Sequence, residues 1–170
     1  ETQLKYEQKR AAKRRRGDAS QLRVYSEAGP AEQRRDPQRA RYIRYALAED
    51  KILAILMKNP DYYEHAAQRI GLDGFVTDRN RALAKVLFER LAAGQSVELP
   101  LLSAQLDEEQ MAAAAGLLNS ISGLTFGPED LDSYIDTLLS FKTVKSQDEV
   151  AAMTDDDLKA YIAALASKKK

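Results

Sequence analysis

The apolar positions along most of this chain recur with the spacing of amphipathic helices. In the segment that begins at Leu131, the apolar residues follow the i, i+3, i+4, i+7, i+8 spacing of one buried helix face. They are Leu131, Tyr134, Ile135, Leu138 and Leu139. Beyond Phe141 the same phase would place Lys142, Lys145 and Glu149 on that face. The loss of phase predicts that a helical bundle ends near Phe141.

A second amphipathic helix is predicted soon after this break, capped by Thr154. We expect it to form a helical hairpin with the preceding segment, and a pair of short helices is too small to be stable alone. Its apolar surface is therefore predicted to bind a partner, although a closed two-helix unit that packs only on itself is the alternative. The predicted partner-binding residues are Val144, Val150, Met153, Leu158, Tyr161, Ile162 and Leu165.

Two further stripes predict the main helices of the bundle. The first consists of Ala48, Ile52, Ile55 and Leu56, and the helix should end at Asn59 because the following proline disfavours the α conformation. Asp61 is then expected to cap a short helix that runs to about Ile70. Thr77 is expected to cap a third helix that ends at Gly94 and has an apolar face made by Leu83, Val86, Leu87 and Leu91.

The remaining helices are predicted from their first residues. Pro100 suits the first turn of a short helix that carries Leu101, Leu102 and Leu106, and Asp107 opens the next helix. Pro128 marks the start of the helix that carries the first stripe described above. No segment alternates long enough for a strand, so the predicted class is all-α, an irregular bundle of about five to six helices followed by a C-terminal helical hairpin.

The composition divides the chain into three parts. Residues 1–40 are predicted to be a basic linker and the tail of a preceding domain, largely flexible, because they hold few large apolar side chains. Residues 41–141 form the predicted bundle, and 142–170 the predicted hairpin. The chain begins with Glu1 rather than Met, so we expect it to be a piece of a longer protein.

The formal net charge of zero hides an asymmetry between the two ends of the chain. Residues 1–41 hold 12 Lys and Arg against 6 Asp and Glu, whereas residues 42–167 hold 11 against 20. Proteins that bind nucleic acid usually present a basic face, so an acidic bundle is expected to bind it poorly. Any such contact is expected to be weak and to use the basic run Lys13, Arg14, Arg15 and Arg16, for which a solvated tail is the alternative.

Residues typical of a catalytic or metal centre are few. The sequence has no cysteine, and its single histidine, His65, is expected to be a surface or boundary residue rather than a catalytic base. The acidic run 155–157 matches the dipole at a helix start. Tyr42, Tyr45, Tyr62 and Tyr63 are expected to pack at the edge of the core rather than to stack on bases. We therefore expect no catalytic residue, metal or cofactor in this chain.

The sequence also lacks an apolar run of about 18 residues, the length that a membrane span needs. It has no charged-then-apolar secretory leader either. A cytoplasmic protein without a membrane partner is therefore expected.

Two segments resemble the C-terminal helicase-interaction domain of bacterial DNA primase of the DnaG type. They are AEDKILAILMKNPDYY and FVTDRNRALAKVLFERL, and the similarity covers roughly residues 42–170. The resemblance implies a noncatalytic module that docks primase on the N-terminal domains of the hexameric replicative helicase in the bacterial replisome. It implies that the hairpin is the main attachment point, that the bundle modulates the helicase, and that the parent protein synthesises primers.

Two alternatives remain open at this level. The N-terminal domain of the replicative helicase itself is similar in fold and in its opening helix. The other alternative is a nucleic-acid-binding helical domain that uses the basic arm, whose DNA binding would depend strongly on salt and would be lost when residues 1–41 are deleted.

Overall fold

The computed structural model describes residues 36–143, with side chains to 141, and the separate positions 159 and 162. Within residues 36–143 all regular elements are helical, which confirms the all-α class. One turn of 3-10 helix precedes α3 at Pro60–Tyr62, and another precedes α4 at Leu72–Gly74. The α-helices of this range are α1 (Pro37–Arg41), α2 (Ile43–Lys58), α3 (Tyr63–Arg69), α4 (Asp78–Ala92), α5 (Leu99–Leu102), α6 (Glu108–Ser120) and α7 (Pro128–Thr143).

Helix α2 is the centre of the bundle. Every residue from Ala48 to Met57 is buried, so this helix is covered on all sides rather than along one stripe. Helices α4 and α6 both pack against it. The predicted apolar face of α2 is confirmed, and the helix ends at Lys58, with Asn59 outside the α region (φ −131°, ψ 78°) before the proline.

Aromatic side chains fill the space between α3 and α4. The ring of Phe88 meets Tyr63 edge-on, with 5.4 Å between centroids, and meets Phe75 in the same way at 6.1 Å. Such edge-to-face pairs are favoured by the ring quadrupoles. Tyr45 and Tyr62 also pack partly buried against the core, so the predicted packing role is confirmed for Tyr45, Tyr62 and Tyr63. The ring of Tyr42 is instead contacted by the guanidinium of Arg41, 5.2 Å from its centroid.

Four of the five predicted helix starts agree with the structure, namely Thr77, Pro100, Asp107 and Pro128, and the start at Asp61 does not. Asp107 opens α6 with a capping box, in which its carboxylate accepts the Gln110 amide at 2.8 Å and the Gln110 side chain accepts the Asp107 amide at 3.1 Å. Helix α4 begins after Thr77, as predicted, but the Thr77 side chain makes no capping bond, because its hydroxyl donates to Glu49. The prediction for Asp61 is wrong, because this residue lies within the 3-10 turn and α3 begins without a side-chain cap.

The first helix of the bundle lies inside the segment assigned to the linker. Asp36 caps α1 by accepting the amide of Arg39 at 2.8 Å, so residues 37–40, assigned to the linker, belong to a helix of the bundle. This extra helix raises the count in the described bundle from the predicted five or six to seven. The rest of the predicted flexible segment, residues 1–35, lies outside the described residues.

The last three helices complete the core. Leu102 and Leu106 are buried, whereas Leu101 on α5 is 49% exposed. Ala114 on α6 and Ile121, directly after the end of α6, are also buried in the core. Helix α7 buries three members of its predicted stripe, and the chain divides into two compact units between residues 139 and 140, close to the predicted end of the bundle.

Candidate functional site

A charged residue lies in phase with the apolar stripe of α2. Glu49 is three residues before Ile52 and seven before Leu56, so its side chain points into the core, where it is fully buried. Sequence reasoning missed this residue, although an acidic side chain at those spacings was the available signal. A buried carboxylate requires hydrogen-bond donors, and the segment before α4 supplies them.

Four donors surround the Glu49 carboxylate. Its Oε1 accepts the backbone amides of Val76 and Thr77, the latter at 3.0 Å. Its Oε2 accepts the Thr77 hydroxyl at 2.5 Å and the Asn80 side-chain amide at 3.1 Å. The Glu49 carboxylate therefore joins α2 to the start of α4.

The environment of Glu49 acts on its pKa in two directions. Burial raises the pKa, because the charged form loses its hydration. The hydrogen bonds from Thr77, Val76 and Asn80 favour the charged form and lower the pKa, but burial is the larger cause. Since the known donors occupy both oxygens, we interpret this carboxylate as a structural link and not as a catalytic base.

Asp50 extends the network to α1. Its Oδ1 accepts Nη1 of Arg39 at 3.0 Å and the side-chain amide of Asn80 at 2.9 Å, while its Oδ2 accepts Nη2 of Arg39 at 2.5 Å. The amide of Asn80 thus donates to both acidic residues of α2. One polar network therefore ties α1, α2 and α4 together in the interior of the bundle.

A second polar cluster joins α3 to α7 at the surface. Nε2 of His65 lies 2.6 Å from Oδ1 of Asp132. Arg69 donates to the same carboxylate and, at 2.6 Å, to Asp136. The side chain of His65 is 44% exposed, in agreement with the predicted surface position.

The charges of this cluster shift two pKa values. The hydrogen bond from His65 is the largest influence that lowers the pKa of Asp132, and Arg69 lowers it further. The hydrogen bond to Asp132 in turn raises the pKa of Arg69. Because these side chains are solvent-accessible, their attraction is screened and holds α7 against α3 only modestly.

Most of the predicted partner-binding residues lie outside the described residues. These are Val144, Val150, Met153, Leu158, Tyr161 and Leu165. The remaining member, Ile162, is helical and 56% exposed. Lys159, one turn before it, is also helical and exposed. The basic run 13–16 likewise lies outside the described part of the chain.

The described residues show neither a metal-binding group nor a membrane-spanning helix. Within them, no group of three or more histidine, cysteine or acidic side chains is placed to hold a metal ion. Among the same residues, no helix combines the length and apolarity required to cross a membrane. No family model, curated protein or solved structure matches this chain.

Proposed function

We propose that this chain is the helicase-binding module of a bacterial primase of the DnaG type. In this role it docks primase on the N-terminal domains of the replicative helicase in the bacterial replisome. The terminal segment is the main attachment point, and the bundle modulates both enzymes during primer synthesis.

The observation that carries the proposal is the exposure of Ile162. An isoleucine that is 56% exposed on a helix leaves apolar area in water, and covering it would contribute about 1 to 2 kcal/mol to binding. A partner that covers the predicted neighbours of Ile162 as well would gain correspondingly more. A helix with one apolar face is the kind of ligand that hydrophobic grooves of partner proteins accept.

The fold of the two segments that resemble primase also supports the proposal. The first segment forms most of α2 and continues into α3, and the second includes all but the last residue of α4. They meet through Glu49 of the first and Thr77 and Asn80 of the second. Polar residues of both segments therefore join these two helices.

The charge of the chain favours a protein partner over nucleic acid. Residues 42–167 carry nine more acidic than basic side chains, which would repel a phosphate backbone.

Copurification with the replicative helicase of the host tests the proposal. The double variant Tyr161→Ala and Ile162→Ala should lose the helicase, because it removes two large members of the predicted contact stripe. Leu101→Ala is the matched control, since Leu101 is an apolar side chain of similar exposure on the bundle. It should retain the helicase.

The circular dichroism spectrum of each variant should match that of the unmodified chain. A matching spectrum shows that loss of the helicase is due to a lost contact and not to unfolding. Helicase retained by the double variant would refute the role of the terminal helix. Failure of the unmodified chain to retain helicase would refute the proposed function as a whole.

A further inference from the structure

The segment 36–41, here called the α1 strap, consists of α1 and its capping aspartate. None of the residues of α1 is buried. Two of its side chains, Gln38 and Arg39, make polar contacts with the bundle. An open groove of about 540 Å³ lies between it and the start of α6, and Pro37 and Glu109 are among the residues that line it.

Gln38 supplies a cap that α4 cannot obtain locally. The hydroxyl of Thr77, the residue at the capping position, donates to Glu49 and makes no capping bond. The side chain of Gln38 instead accepts the amide of Asp78 at 2.8 Å and donates to the Asp78 carboxylate at 2.7 Å. One amide of the first turn of α4, that of Asp78, is therefore satisfied by a residue 40 positions earlier in the chain.

Arg39 occupies a site that matches the planar fork of a guanidinium group. Both oxygens of Asp50 accept from it, and Asn80 holds that carboxylate in place with a hydrogen bond of 2.9 Å. The side chains of Arg39 and Asp50 are only 13% and 11% exposed. Bidentate contacts of this kind select arginine over lysine, which offers a single charged point.

We propose that the α1 strap is releasable and that its release opens a guanidinium-binding site at Asp50. An element without buried residues opens at a lower free energy than the core on which it lies. Release removes the Arg39 bonds from both Asp50 oxygens, while Asn80, which belongs to α4, keeps its hydrogen bond to Oδ1. The ligand that fits this site is the side chain of another arginine, because the strap holds it with one.

Amide hydrogen exchange on the full chain tests the release. The amides of Ala40 and Tyr42, which bond within the strap, should exchange together with that of Asp78, at least about tenfold faster than the core amides of α2. Gln38→Ala should accelerate these amides further and leave the α2 amides unchanged. Equal exchange of the strap and α2 in the unmodified chain would overturn the proposal.

Methylguanidinium tests the binding site in the variant Arg39→Ala. It should shift the side-chain amide resonance of Asn80 saturably in this variant and leave the unmodified chain, whose site is occupied, unaffected. Methylammonium should have no saturable effect in either protein. Arg44→Ala, which removes an exposed arginine of α2, is the matched control and should behave like the unmodified chain.

Two outcomes would refute the guanidinium site. One is the absence of a saturable shift in Arg39→Ala, and the other is an equal shift in the unmodified chain. If Arg39→Ala does not fold, the bundle depends on the docked strap, and the release proposal is overturned together with the site. The exchange measurements on Gln38→Ala, which keeps Arg39, provide an independent test of release.

Discussion

Replacing Thr77 with valine removes the hydroxyl that donates to the buried carboxylate of Glu49, and it changes the side-chain volume very little. The lost bond, 2.5 Å from Oγ1 to Oε2, is made to a group that is fully buried when folded, so water cannot replace it. Hydrogen bonds to charged groups contribute about 1.5 to 3 kcal/mol. We expect the free energy of unfolding to fall by that amount at neutral pH.

The loss should depend on pH, because the hydroxyl stabilises the charged form of Glu49. The folded pKa of Glu49 is raised by burial, so its contribution to stability is complete below the unfolded pKa and is lost as pH rises through the folded value. Without the Thr77 hydroxyl the folded pKa of Glu49 rises further, so the chain loses more of its free energy of unfolding as pH rises. The difference between variant and unmodified chain should therefore be larger at about pH 8 than at about pH 5.

Urea unfolding followed by circular dichroism at several pH values measures both effects. Thr137→Val is the matched control, since its hydroxyl donates to the Ser133 carbonyl at 3.0 Å in an exposed position on α7. We expect that control to lose under about 0.5 kcal/mol at any pH. Equal losses in the two variants, or a Thr77→Val loss that does not change with pH, would refute the assigned role of Glu49.

Two further predictions concern the core and the surface cluster. Leu102→Ala should lower the free energy of unfolding by about 2 to 5 kcal/mol because it leaves a cavity, and Leu101→Ala should change it by about 0.5 kcal/mol at most. Urea unfolding compares them, and similar losses would contradict the assigned burial. Asp132→Asn should cost under about 1 kcal/mol, because its contacts with His65 and Arg69 are exposed. Since the pKa of Asp132 is lowered in the fold, its contribution is present above the ordinary carboxyl pKa and is lost as pH falls through the lowered value. Thermal unfolding in acid and at neutral pH measures this, and a difference that persists in acid would contradict it.

The main helices could be predicted because their information is local. Helices α2, α4 and α7 each carry an apolar stripe that exists in the sequence before any contact forms. Their ends at Asn59 and after Thr77 also follow from neighbouring residues. Asp61 was assigned wrongly because a proline directly before it starts a 3-10 turn, which delays the α-helix to Tyr63.

The polar network that ties α1, α2 and α4 together could not be predicted, because the residues that it pairs are distant in sequence. Helix α1 has no apolar stripe, and its contacts through Gln38 and Arg39 reach residues 40 and 11 positions away. The donors that surround Glu49 come from a segment 27 to 31 residues later. Ile162 was predicted from its stripe, and its exposure is the one described observation on the predicted contact surface.

The distant cap of α4 has a practical consequence for dissecting this protein. A recombinant fragment that starts at residue 42, where the apolar composition begins, would lack both Gln38 and Arg39. Its first α4 turn would fray, and Asp50 would face solvent without its counter-ion. Measurements on such a truncation would describe a weakened domain, so the amino-terminal cut belongs ahead of Asp36.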